Sequence, residues 1–201
     1  MKLPQKFVEV FRRRIVGCAL TLALAWALSG NATTSAQAPG VNREYPLKAA
    51  FLYNFGNYIE WPADTFASAD APFVVGVMGT NPFGTVLNDV AATKTLHGRS
   101  IVIRPVVDES EVAACQILFI CAGVGEIERL AVINSSRDKH VLIVGETKDL
   151  AAQGAVINFF VEQNKVRFEV NAQAARERDL KISSKLMSLA KLVEPRRVAG
   201  K

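Results

Sequence analysis

The chain has 201 residues, half of them apolar, with 24 lysines and arginines against 19 acids and a formal charge of +5. Its 13 glycines and eight prolines exclude a collagen-like or low-complexity chain, and three cysteines are too few for a disulfide scaffold. The length suits one domain with a hydrophobic core, and the basic balance raises the question of an acidic partner such as nucleic acid.

The N-terminus answers that question. Lys2, Lys6, Arg12, Arg13 and Arg14 precede an apolar run from Ile15 to Leu28, followed by small residues to Ala38. Basic, apolar, then small is the order of a secretory signal peptide, and the apolar run is shorter than the roughly 20 residues of a membrane-spanning helix. Pro39 disfavours cleavage after Ala38, so processing is expected near Ala36. Residues 1–36 hold five of the 24 basic residues and one of the 19 acids, leaving 19 and 18 and a net charge of +1. The electrostatic motive for nucleic-acid binding is then gone. The sequence thus divides into an export signal (1–36), a flexible leader (37–44), a folded domain (45–194) and a basic tail (195–201), and the mature protein is expected in the periplasm.

The first element of the domain runs from Pro46 to Trp61, with apolar residues at 47, 51, 55, 58 and 59 in helical spacing and Pro62 as its stop. Phe73–Met78 reads as a strand. Gly79-Thr80-Asn81-Pro82-Phe83-Gly84 reads as the turn into a helix reaching Ala92, with Asn81 as N-cap and Pro82 as first helical residue. Ser100–Val106 and Gln116–Ile120 are the next strands, with a helix over 125–135 following. His140–Val144 is a fourth strand and Lys148–Ala152 a short helix. Apolar strands alternating with helices predict an α/β fold, a mainly parallel central sheet flanked by helices. Ala155–Val161 and Lys165–Val170 are separated only by Glu162-Gln163-Asn164, so the sheet ends in an antiparallel hairpin. Helices over 172–178 and 184–192 close the chain.

These segments carry a resemblance. Lys48-Ala49-Ala50-Phe51-Leu52-Tyr53-Asn54-Phe55 ending in Glu60-Trp61-Pro62, Asn81-Pro82-Phe83-Gly84, Gly98-Arg99 and Cys115–Ile120 are similar in order and spacing to the YfiR family of periplasmic proteins. So are Gly154–Phe159, Lys165–Asn171 and Leu180–Leu186, and the resemblance covers residues 45–192. It implies a regulator that represses an inner-membrane diguanylate cyclase by binding its periplasmic domain, lowering cyclic di-GMP and biofilm output. Better-known members carry intrachain disulfides. This chain lacks the extra cysteines, so redox control is not implied for it.

The residues themselves contain no catalytic constellation. His97 and His140 are the only histidines and share no zinc-binding spacing, and no G-x-S-x-G elbow occurs. Gly79–Gly84 lacks the Gly-Lys-Ser/Thr of a phosphate loop; it reads as a structural turn, with anion binding at the helix start as the alternative. If 116–120 is extended, Cys115 and Cys121 lie about 20 Å apart, beyond the ~7 Å a disulfide spans. They read as buried thiols, the alternative being one exposed thiol that pairs between chains. No enzyme activity, cofactor or metal is expected.

Two functions remain. In the first, the protein binds the periplasmic domain of an inner-membrane diguanylate cyclase or histidine kinase. Lys165, Arg167 and Glu169 share one face of a strand, and Asn158, Arg167, Glu169 and Ser184 are the candidate surface on the exposed edge of the sheet. The alternative is a periplasmic small-ligand sensor working with another membrane receptor. It would use the crevice at the carboxyl ends of the parallel strands, with Tyr53, Trp61 and Phe83 as contacts. The two coexist if a small molecule is the releasing signal. An exposed edge strand also permits a homodimer.

Overall fold

The computed structural model describes residues 43–196, so the export signal lies outside the described residues, as do most of the leader and of the basic tail. Helix α1 (Glu44–Tyr58) opens the domain two residues before Pro46 and ends three short of Trp61, because Ile59–Glu60 turns into a short strand, β1. Its buried face is Lys48, Ala49, Leu52, Phe55 and Gly56. Gly56 is a close approach: a Cβ there would sit 2.6 Å from the Leu96 side chain.

The sheet follows as β2 (Phe73–Met78), β3 (Thr95–Leu96), β4 (Arg99–Val106), β5 (Ile117–Ile120), β6 (Leu142–Gly145), β7 (Ile157–Glu162) and β8 (Lys165–Val170). The helices between strands are α2 (Val86–Thr93) and α3 (Glu126–Ser135). After β8 come α4 (Ala172–Arg176), β9 (Lys181–Ile182), α5 (Ser184–Leu189) and β10 (Lys191–Leu192). The eight-stranded order is β10-β8-β7-β6-β5-β2-β4-β3, and β1 pairs with β9 in a separate ribbon. Strands β4, β2, β5, β6 and β7 are parallel, the 2-1-3-4-5 order of a doubly wound sheet with its switch point between β2 and β5. Every residue of β2, β5 and β6 is buried, as strands covered on both faces require. Phe55 of α1 stacks on Phe159 (5.6 Å between centroids) and meets Phe168 edge-on (5.1 Å), gluing α1 over the hairpin.

The α/β class, the parallel strands and the hairpin match the sequence reading. The hairpin turn is Gln163-Asn164 with φ of 50° and 58°, the left-handed pair that a two-residue connection of right-twisted strands demands. Four expectations are corrected. Asn81 does not cap a helix beginning at Pro82. Its Oδ1 accepts the Phe83 amide (2.8 Å) in a local turn, and α2 starts only at Val86. Lys148–Ala152 forms turns rather than a helix, with Asp149 at φ 64°. The segment 184–192 breaks after Leu189, and its last residues become β10. The hairpin is therefore not the bare sheet edge: β10 pairs with Glu169 and Val170 of β8, leaving only the stretch from Lys165 to Phe168 beyond its reach. Asn171 and Ser183 do cap α4 and α5, accepting from Ala174 N (2.9 Å) and Leu186 N (3.3 Å).

Candidate functional site

At the carboxyl ends of β5 and β6, next to the β2/β5 switch point where a doubly wound sheet leaves its crevice, the protein's own α1 packs against the sheet. Lys48, only 3% exposed, places Nζ 2.6 Å from Glu146 Oε2 and 2.5 Å from Glu44 Oε1. Glu146 directly follows β6, and its other oxygen accepts the Ala122 amide just past β5 (3.1 Å). Burial alone would lower the lysine's pKa, but the bonds to Glu146 and Glu44 outweigh it and hold the ammonium above its ordinary value. The Tyr45 ring lies 4.7 Å from the Lys48 ammonium and meets Phe83 edge-on at 5.6 Å, and Phe83 meets Phe119 at 4.8 Å. Burial and the charge of Glu146 push the Tyr45 phenol up. Phe83 is thus a plug in the core, not a ligand contact. The Lys48–Glu146 ion pair and the edge-on rings of Tyr45, Phe83 and Phe119 cover this end of the sheet.

The six sequence-nominated residues do not converge. Asn158 and Glu169 face each other across the hairpin, Asn158 Nδ2 donating to Glu169 Oε1 at 3.2 Å. Asn158 is buried, so it supports the surface from beneath, and its Oδ1 has no partner among the described residues. Arg167 stands exposed on the same strand with Nε 3.1 Å from Glu162 Oε2. Tyr53 sits alone and half-buried on α1, its hydroxyl 3.5 Å from the Thr95 carbonyl. Trp61 and Ser184 belong to the opposite, amino end of the sheet, on either side of the β1–β9 ribbon, where Ser183 N bonds Tyr58 O (3.0 Å).

Trp61 borders a groove of about 360 Å³ shared with Glu60, Pro62, Arg176, Asp179 and Lys181. Its ring meets Phe73 edge-on at 5.1 Å, and its buried Nε1 finds no acceptor among the described residues. A second concavity, about 780 Å³, lies elsewhere, between α3, α4 and the C-terminal segment, and holds none of the six. Among the described residues no three His, Cys, Asp or Glu side chains gather as metal ligands. Cys115 and Cys121 are both free and buried at the two ends of β5, which matches the thiol reading.

Sequence reasoning missed Lys48 and Glu146. One signal was present: a lysine at position 48 on the otherwise apolar face of α1, four residues after Glu44.

The fold defines a doubly wound α/β domain extended by an antiparallel hairpin, with α1 packed against the carboxyl end of the sheet and polar features distributed over both ends. The chain belongs to the YfiR/HmsC-like family, whose model matches residues 45–191. That family is regulatory rather than catalytic and is associated with control of diguanylate cyclases. No curated protein matches the sequence.

Proposed function

We propose that the protein is a periplasmic repressor that binds the periplasmic domain of an inner-membrane diguanylate cyclase. The observation that carries this reading is the family match over nearly the whole described domain. To repress, it must bind the cyclase's inactive conformation more tightly than the active one, and a releasing signal must weaken that preference. The docking face is the outer side of β8 and the segment after it. Arg167 is half exposed there. Leu189 and Leu192 are 67% and 61% exposed, and the run from Leu180 to Val193 carries three lysines and no acid. An acidic, partly apolar surface on the cyclase complements it. The stretch of β8 beyond β10 also offers a strand edge for a homodimer, read by sedimentation.

Substituting Arg167→Glu is expected to abolish repression of the cyclase in cells while leaving circular dichroism unchanged. Full repression by the variant sinks the proposed face.

A second reading is favoured by one observation, the Trp61 Nε1 that has no acceptor among the described residues, beside a groove. In it the protein is a small-ligand sensor serving another membrane receptor, such as a histidine kinase. Native mass spectrometry of the purified protein separates the readings: a stoichiometric small molecule supports the sensor, and recovery of a membrane cyclase in a pull-down supports the repressor.

A further inference from the structure

We infer that His140 is a proton-dependent staple between the two walls of the Trp61 groove. The inference concerns the isolated protein and does not rest on the identity of any partner.

His140 lies two residues before β6, at the amino edge of the sheet, with about a quarter of its side chain exposed. Three groups surround the ring. Nδ1 is 3.0 Å from the Arg178 carbonyl oxygen, 3.9 Å from Asp179 Oδ2, and Nε2 is 3.8 Å from Asp64 Oδ1. A carbonyl oxygen only accepts, so Nδ1 carries hydrogen in either charge state of the ring. The proton that comes and goes is therefore the one on Nε2, the nitrogen that faces Asp64.

Asp179 lines the groove, and Asp64 stands just beyond the wall that Trp61 and Pro62 form on the other side. Asp64 belongs to the single turn Ala63–Thr65 that follows Trp61 and Pro62, and Asp179 lines the other wall beside Arg176 and Lys181. With a neutral ring, His140 holds only the Arg178–Asp179 wall. With a proton on Nε2, the imidazolium attracts both carboxylates and ties the two walls to the sheet. Glu60, on the Trp61 wall, is the other acid lining the groove and sits in register with Lys181 across the β1–β9 ribbon. Lys139 is the chain neighbour of His140, and the Arg178 guanidinium is turned away toward Ala174 O, Ile133 O and Ser136 Oγ. Arg176 and Lys181 form no ion pair among the described residues. Both carboxylates are largely exposed, 80% and 74%, so each contact is modest and screened by salt. The staple adjusts how readily the groove opens and leaves the global fold unchanged.

The test is amide hydrogen exchange of residues 59–66 and 178–182 at about pH 5.5 and about pH 8, the range in which imidazole changes charge, corrected for intrinsic exchange rates. The wild type is expected to show roughly 2- to 5-fold stronger protection in both segments at the acidic pH, as two exposed ion pairs allow. The difference should vanish in His140→Gln and at least halve in Asp64→Asn, an exposed substitution that leaves the core untouched. His97→Gln tests the other imidazole, which bonds the Gly56 carbonyl through Nε2 and meets the Trp61 ring edge-on at 6.2 Å but faces neither carboxylate, and it should retain the difference. Equal protection at both pH values in the wild type, or a pH difference that survives in His140→Gln, overturns the inference.

Discussion

Lys48 and Glu146 are 98 residues apart in the chain and 2.6 Å apart in the fold. Their contact ties the N-terminal half of α1 to the carboxyl end of the sheet, next to the switch point where doubly wound topologies hold a ligand. It is an expensive arrangement, because two buried charges must recover their hydration from each other and from a few hydrogen bonds. Here the lysine has two carboxylates, and Glu146 has the lysine and the Ala122 amide.

The two partners are not equivalent. Lys48→Met leaves Glu146 buried with one amide for company and is expected to cost about 3–5 kcal/mol. Glu146→Gln leaves Lys48 its bond to Glu44 and should cost less, about 1–3 kcal/mol. The double variant Lys48→Met/Glu146→Leu should regain much of the loss. Urea unfolding of the three proteins reads this order, and a double variant less stable than both singles contradicts it. The pH dependence follows from the raised lysine value. A group whose folded pKa exceeds its unfolded value contributes fully below the latter, here 10.5, and its contribution fades as pH rises through the former. The lysine's contribution is therefore present at neutral pH and is lost in strong alkali.

The two thiols at the ends of β5 should be chemically quiet. Burial pushes Cys115 up to about 11 despite the nearby Arg104, and burial with the charge of Glu146 pushes Cys121 up to about 11. The thiolate is the reactive form, and at pH 8 roughly one thiol in a thousand is ionised at such values. In the native protein the peptides bearing Cys115 and Cys121 should label with a maleimide only slowly, and in urea quickly. A reducing agent should leave the thermal midpoint unchanged. Fast native labelling, or a midpoint that falls on reduction, refutes the buried-thiol reading.

The sequence revealed what repeats along the chain and concealed what depends on distant partners. Strands β2, β5 and β6 are continuous apolar runs because both faces are covered, and the hairpin showed itself through the short Glu162-Gln163-Asn164 connection between two strand-like runs. The ribbon of β1 with β9, and the short β3 and β10, are two-residue pairings that exist only because tertiary packing brings the segments together. Lys148–Ala152 has helical composition, but Asp149 takes a left-handed conformation and closes turns there instead. The site was obscured for a similar reason. Polar residues near the hairpin are conspicuous in sequence, whereas Lys48 and Glu146 look like ordinary surface charges until the fold buries them against each other.

Arg178 presents the opposite problem: a guanidinium only 1% exposed that makes no ion pair among the described residues. Its Nη1 donates to Ala174 O (3.0 Å), and Nη2 donates to Ile133 O (3.0 Å) and Ser136 Oγ (3.2 Å). Ala174 and Ile133 lie in the last turns of α4 and α3, where backbone carbonyls lack helical partners and carry the negative end of the helix dipole. Two helix ends thus stand in for the missing carboxylate. The compensation is partial, since burial drags the arginine down to about 10. For a base with a depressed folded value, the burial penalty is present at neutral pH and is relieved only as pH climbs past that value. Arg178→Met removes the charge but leaves the Ala174 carbonyl without its arginine donor, at about 1–3 kcal/mol, while Ile133 O keeps the bond from Ser136 Oγ. The expected loss is about 1–3 kcal/mol by urea unfolding, with α4 losing hydrogen-exchange protection first. Arg178→Lys keeps the charge but not the planar fork that reaches both helices, so it should recover little of that loss. A lysine variant as stable as the wild type would show that charge alone, rather than the joining of α3 to α4, is what this residue supplies.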